Sequence, residues 1–176
     1  MSLEKYLQIR KKIQTGDLLS WTSSNITGYA IRLFTKGQVN HSSTAINLTK
    51  YGGDRKFCTE AMEPGCELNN LSQRLDNFKG SVYWHQLRPE FEIYRHAIGV
   101  AAFSRIGYDY DYASIFKQIF GKVSISAKKL FCSEYVYLNM IDAKVPLSTE
   151  KKAPNPQELF TNRIFWHPPI LIKGKK

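Results

Sequence analysis

Nowhere in these 176 residues is there an apolar run of the about eighteen residues that a membrane-spanning helix needs. The stretch Met1 to Gln14 also lacks the uninterrupted apolar segment of a signal peptide, so a cytoplasmic protein without a membrane span is expected. Cysteine is scarce. Cys58, Cys66 and Cys132 make an odd count with no Cys-x-x-Cys pair, which argues against a disulfide framework or a recognisable zinc site and implies no cofactor. Long basic runs are missing too: 25 Lys and Arg against 15 acids give a net charge of +10, but in scattered pairs and a short Lys173-Gly174-Lys175-Lys176 tail. Such a surface suits contact with anionic partners. No recognised nucleic-acid motif accompanies it, so nucleic-acid binding is not expected.

Repeats, low-complexity segments and loops long enough for a linker are also lacking, so residues 1–176 read as one domain. Its core is expected over about 16–160, with an N-terminal helix in 1–15 and a C-terminal edge segment with a basic tail over 161–176. A chain that is 43% apolar and 13% aromatic can bury a core without metal or disulfides.

Periodicity predicts a helix over Leu3 to Ile13, a short strand after Gly16-Asp17, and a helix from Ser23-Ser24-Asn25 to about Phe34. Val39 to Leu48 and Lys56 to Met62 read as two strands around the turn cluster Tyr51-Gly52-Gly53-Asp54. Glu67 to Lys79 reads as a polar connection with one irregular helical turn. Gly80 to Leu87 is a further strand, Glu90 to Ile106 and Tyr112 to Phe120 are helices, and a short helix over Gln157 to Thr161 precedes an edge strand.

The most informative stretch is Leu130 to Met140. Tyr135, Val136, Asn139, Met140 and Ala143 recur at helical spacing behind Cys132, which places the thiol at an expected helix start. Unpaired N–H groups and the helix dipole there favour a thiolate. Taken alone, such a cysteine is as readily a small buried apolar residue. A nucleophilic thiol needs an imidazole and a group that orients it. His41 opens a strand on a face shared with Ser43 and Ala45, and Glu60 lies on the next strand with Cys58 and Met62, so the two could share one face of a sheet. His85, on its own strand, is the second-choice imidazole. His96 and His167 read as structural.

Together, Gly16-Asp17-Leu18-Leu19, Asn40 to Ile46, Thr59-Glu60-Ala61 with Gly65, Tyr108-Asp109 and Phe131 to Val136 resemble the circularly permuted papain-like enzymes of the YiiX-like, NlpC-related group. The order His, Glu, Cys carries the resemblance, because in unpermuted relatives the cysteine helix comes first. It implies an α+β fold in which an antiparallel sheet or partial barrel packs against helices, including the nucleophile helix. It also implies amide hydrolysis through a thioacyl-enzyme: Cys132 attacks, His41 moves the proton, Glu60 orients His41, and the Cys132 N–H at the helix start donates to the oxyanion. Asp17, Trp21, Tyr108 and Tyr135 are the expected substrate contacts. Expected substrates are peptide-like, cell-wall-derived or acylated small molecules. The competing readings are a lipid-directed thiol acyltransferase or phospholipase, and a non-catalytic basic binding module.

Overall fold

A computed structural model describes residues 3–23, 32–33, 36–49, 54–62, 65–107, 127–147 and 153–174, with the backbone alone over 127–131. Six strands form one antiparallel sheet: β1 (Leu18–Ser23), β2 (His41–Asn47), β3 (Lys56–Ala61), β4 (Cys66–Asn70), β5 (Gly80–His85) and β6 (Ile170–Lys173). Their order across the sheet is β4-β3-β2-β1-β5-β6. The helices are α1 (Glu4–Ile9), α2 (Leu71–Asn77), α3 (Arg95–Phe103), α4 (Ala127–Asp142) and α5 (Pro156–Thr161). Among the described residues no helix is long and apolar enough to cross a membrane.

The sheet is covered on both faces. On one face Leu19, Trp21, Ala45, Cys58, Val82 and Trp84 pack with Tyr6, Leu71 and Leu75, beneath α1 and α2. On the other, Leu18 and Ala61 pack with Ile98 of α3 and with Tyr135, Val136 and Met140 of α4. Being covered twice explains the composition of β2. Its run Ser42-Ser43-Thr44-Ala45 is at most 2% exposed, and side chains this small let layers on both sides approach closely.

Two segments differ from the sequence expectation. The supposed connection over Glu67 to Lys79 contains β4 and α2. Cys66–Asn70 lacks β-branched residues, yet it pairs with β3 across five positions from Phe57↔Asn70 to Ala61↔Cys66. Asn70 then ends the strand by capping α2, its side chain accepting from the Gln73 N–H. The long helix expected over Glu90 to Ile106 begins as a 3-10 segment, Pro89–Tyr94, before α3 proper. The helices expected up to Phe34 and over Tyr112 to Phe120, and the Tyr51 to Gly53 part of the turn, fall wholly or mostly outside the described residues.

The chain ends also tie into the sheet. Tyr6, Ile13 and Ile172 are fully buried in the same cluster as Trp21. The Lys173 ammonium, 2% exposed, donates to the carbonyls of Leu75 and Phe78 at the C-terminal end of α2. A cation at a helix C-terminus satisfies carbonyls that have no intrahelical partner and complements the dipole. That contact fixes α2 against the sheet edge.

Candidate functional site

The register decides whether the histidine and the carboxylate meet. Ala45 of β2 sits opposite Cys58 of β3, so these two share a face. Alternation then puts His41 and Ser43 on the Ala45 side and Glu60 on the Cys58 side, which is the same side. His41 Nε2 and Glu60 Oε2 lie 2.6 Å apart, a short charge-assisted bond.

Glu60 is completely buried. Five donors address its two oxygens: His41, Asn69 Nδ2 to Oε1 at 3.0 Å, Arg74 Nε to Oε1 at 2.7 Å and Nη2 to Oε2 at 3.3 Å, and more weakly the Cys58 thiol to Oε1 at 3.9 Å. Burial pushes its proton affinity up, but the bonds and charges of His41 and Arg74 outweigh burial and hold the carboxyl at about 2. It is an acceptor at any ordinary pH. The guanidinium of Arg74 is in turn stacked 4.8 Å from the Trp21 ring centroid and 5.3 Å from that of Phe78.

Cys132 reaches the same imidazole from the other side. Helix α4 lies on the opposite face of the sheet, so the thiol meets the ring at the end of β2, where His41 is the first strand residue. Nε2 is taken by Glu60, which leaves Nδ1 for the sulfur. Burial works to lower the His41 pKa; attraction to and hydrogen bonding with Cys132, then the bond and charge of Glu60, overcome it and raise the ring to about 10. At neutral pH the ring is therefore held as imidazolium against the Glu60 carboxylate, with the Cys132 sulfur beside it. His41 keeps 19% of its side chain exposed and Cys132 is 6% exposed, so solvent approaches over the ring.

The helix start corrects one expectation. Helix α4 begins at Ala127, so Cys132 is already in its second turn. Its N–H belongs to the helical ladder, and the dipole's influence fades within the first turn. The backbone N–H of Cys132 is thus not a free oxyanion donor, and support for a thiolate has to come from His41.

Three of the expected substrate contacts have no exposed surface. The Trp21 indole donates to Ser43 Oγ at 2.8 Å and packs beside His41 with ring centroids 6.3 Å apart. Asp17 accepts from Trp84 Nε1 at 2.7 Å, the Leu87 N–H at 3.0 Å, the Gln14 N–H at 2.9 Å and Arg95 Nη1 at 2.7 Å, which joins β1, β5 and α3. Gly16 precedes it with φ +89°, a turn conformation that favours glycine. Tyr135 donates to the Ala102 carbonyl at 3.0 Å. All three hold the scaffold. Tyr108 lies outside the described residues.

His85, the second-choice imidazole, is fully buried with Nε2 3.1 Å from Ser20 Oγ and the Phe160 ring edge-on against it. Burial, reinforced by the charge of Arg163, lowers its pKa to about 3, so it remains neutral. Cys58 is buried, 3.9 Å from Glu60 Oε1. Its burial and the Glu60 charge push its thiol well above the usual range. Cys66 opens β4 and is 4% exposed.

Asn69 and Arg74 were the residues missed. Their signals were faint: Asn69 is two positions from Glu67, which pairs with Glu60, and Arg74 lies on the α2 turn that Leu71 and Leu75 anchor.

No protein-family model and no curated protein matches the chain. Among solved structures it is similar to metalloprotein YiiX from Escherichia coli O157:H7, with a TM-score of 0.56 at 20% identity over 74% of this chain and 66% of that one. The chain has a YiiX-like fold. This is an α+β architecture with an antiparallel sheet packed against helices, as the sequence resemblance implied. The neighbour is described as a metalloprotein, so the donor set here bears on that chemistry. Among the described residues of this YiiX-like fold, no group of three or more His, Cys, Asp or Glu is disposed to hold a metal ion. The Glu60 oxygens face His41, Asn69 and Arg74, and a guanidinium beside them repels a cation. The described residues do not fit a metal centre at this site.

Proposed function

We propose that the chain is a cysteine hydrolase that cleaves an amide in a peptide-like or acylated amino-acid substrate, built as one permuted papain-like domain with the nucleophile on α4. The observation that carries this reading is one imidazole between two partners: His41 bonded through Nε2 to a buried, ionised Glu60 and acted on by the Cys132 thiol.

In this reading Cys132 Sγ attacks the substrate carbonyl carbon. The thiol proton, held by His41 Nδ1, passes to the leaving amine as the C–N bond breaks and a thioacyl-enzyme forms. His41 then takes a proton from water, whose oxygen attacks the thioester, and the carboxylic acid leaves with Cys132 restored. Glu60 fixes the ring plane and tautomer throughout and takes no proton. A carboxylate in this role favours imidazolium more than a neutral amide would.

A panel of peptide-like, cell-wall-derived and acylated amino-acid amides and esters, followed by intact-mass analysis, tests it. The expected result is a mass increase equal to one acyl group, located on Cys132 and lost in Cys132→Ser. An adduct that survives in Cys132→Ser, or no adduct from any member of the panel, argues against it.

A further inference from the structure

The Glu60 carboxylate has more holding it than a histidine-orienting group needs. A buried carboxylate paired with one imidazole has two states available: carboxylate with imidazolium, or carboxylic acid with neutral imidazole. With no solvent contact at Glu60, burial favours the neutral pair. The third charge decides between them.

That charge is Arg74. Its Nε and Nη2 engage one oxygen each of Glu60, its Nη2 lies 3.5 Å from Met62 Sδ, and its plane is stacked on Trp21 and Phe78. Trp21 is in turn the β1 residue paired with His41. The guanidinium is thus fixed by the same residue that packs beside the imidazole. We propose that Arg74 is a positioning residue which keeps Glu60 an ionised, fixed acceptor for His41, and so maintains the imidazolium–thiolate form of the site. The inference rests on the hydrolase reading of His41, Glu60 and Cys132.

The groups facing Glu60 come from four elements: His41 from β2, Cys58 from its own strand, Glu67 of β4 on the far side of the shared Asn69 amide, and Arg74 from α2. Cys132 of α4 acts through His41. Of these only Arg74 is a permanent cation. Lysine in its place would keep a charge but lose the fork that addresses both oxygens.

The test compares wild type, Arg74→Lys and Arg74→Gln, each checked for folding by circular dichroism. The Glu60 side-chain carboxyl is followed by carbon-13 NMR from pH 3 to 9 and assigned through its loss in Glu60→Gln. Cys132 alkylation by iodoacetamide at pH 6 is measured by peptide mapping. In wild type Glu60 is expected to stay ionised down to pH 4. In Arg74→Gln its midpoint should rise by about two pH units and alkylation should slow about tenfold, with Arg74→Lys intermediate. A folded Arg74→Gln protein in which neither quantity moves overturns the proposal. Should Arg74→Gln not fold, Arg74→Lys decides alone, and an unchanged alkylation rate and Glu60 midpoint overturn it. A wild-type Cys132 no faster than Cys66 removes the hydrolase reading and this inference together. A fast Cys132 indifferent to Arg74 removes only this inference.

Discussion

Arg74 grips Glu60 with two arms of its guanidinium, Nε to Oε1 at 2.7 Å and Nη2 to Oε2 at 3.3 Å, where Glu60 has no solvent contact. Removing one member of a buried pair leaves the other uncompensated, which typically costs about 3 kcal/mol or more. Glu60→Gln, whose amide turns a donor toward a donor, is therefore expected to lose about 3 kcal/mol and to slow Cys132 alkylation. Glu67→Gln, on the rim of the same network, should stay within about 0.5 kcal/mol. Urea unfolding and iodoacetamide rates on the two variants check this. Equal losses in both would contradict the assignment of Glu60.

The two shifted groups define a pH window for stability. His41 is raised to about 10, so its contribution is complete below its unfolded value of about 6.5 and is lost as pH rises toward 10. Glu60 is lowered to about 2, so its contribution is complete above its unfolded value of about 4.3 and is lost as pH falls through 2. Urea midpoints should therefore be highest between about pH 5 and 6.5 and decline toward pH 10. Attraction to Cys132 is the largest influence raising His41, after burial has opposed it, so Cys132→Ser should flatten the alkaline decline. Parallel alkaline slopes in wild type and Cys132→Ser would show that the thiol does not charge the ring.

Asp17 and His85 are expected to matter for the fold and not for the thiol. Asp17→Ala leaves Arg95 with Glu92 as its remaining carboxylate and takes the acceptor from the Gln14 and Leu87 N–H groups and the Trp84 indole, and should cost about 3 kcal/mol or more. His85→Gln breaks the bond to Ser20 and should lower stability by about 1 to 3 kcal/mol. In both variants, measured well below their unfolding temperatures, Cys132 alkylation should remain within about twofold of wild type. A tenfold drop in either would move that residue into the site.

Lys173→Met tests the tie between the C-terminal strand and α2. The carbonyls of Leu75 and Phe78 lose a charged donor, a loss of about 2 kcal/mol. Because α2 carries Arg74, the variant should also slow Cys132 alkylation modestly. A melting temperature unchanged from wild type would mean that solvent replaces the ammonium.

Much of this site was legible in the chain because its signals are local. Strand alternation and β-branched residues around His41 and Glu60 fix two strands and a common face without knowledge of the rest. The helix start was not legible: Ala127-Lys128-Lys129-Leu130 are all good helix formers, so nothing in them holds the helix back until Cys132. Asp17, Trp21 and Tyr135 look like site residues because each carries a polar atom beside a motif. Their partners Arg95, Ser43 and Ala102 lie 78, 22 and 33 positions away, and only the fold brings them in. Arg74 was hidden for the same reason. It sits in a polar stretch whose strand and helix are stabilised by pairing with β3 and by the Asn70 cap rather than by strong intrinsic preference.

The central claim is that Cys132 shares His41 with Glu60 as a reactive pair. Iodoacetamide labelling of the native protein at pH 6, quantified for Cys58, Cys66 and Cys132 by peptide mapping, tests it most directly when repeated in His41→Ala. The account predicts that Cys132 labels at least about tenfold faster than Cys66, that Cys58 stays unlabelled until the protein unfolds, and that His41→Ala brings Cys132 down to the Cys66 rate. A Cys132 that labels no faster than Cys66 in wild type, or equally fast with and without His41, would contradict it.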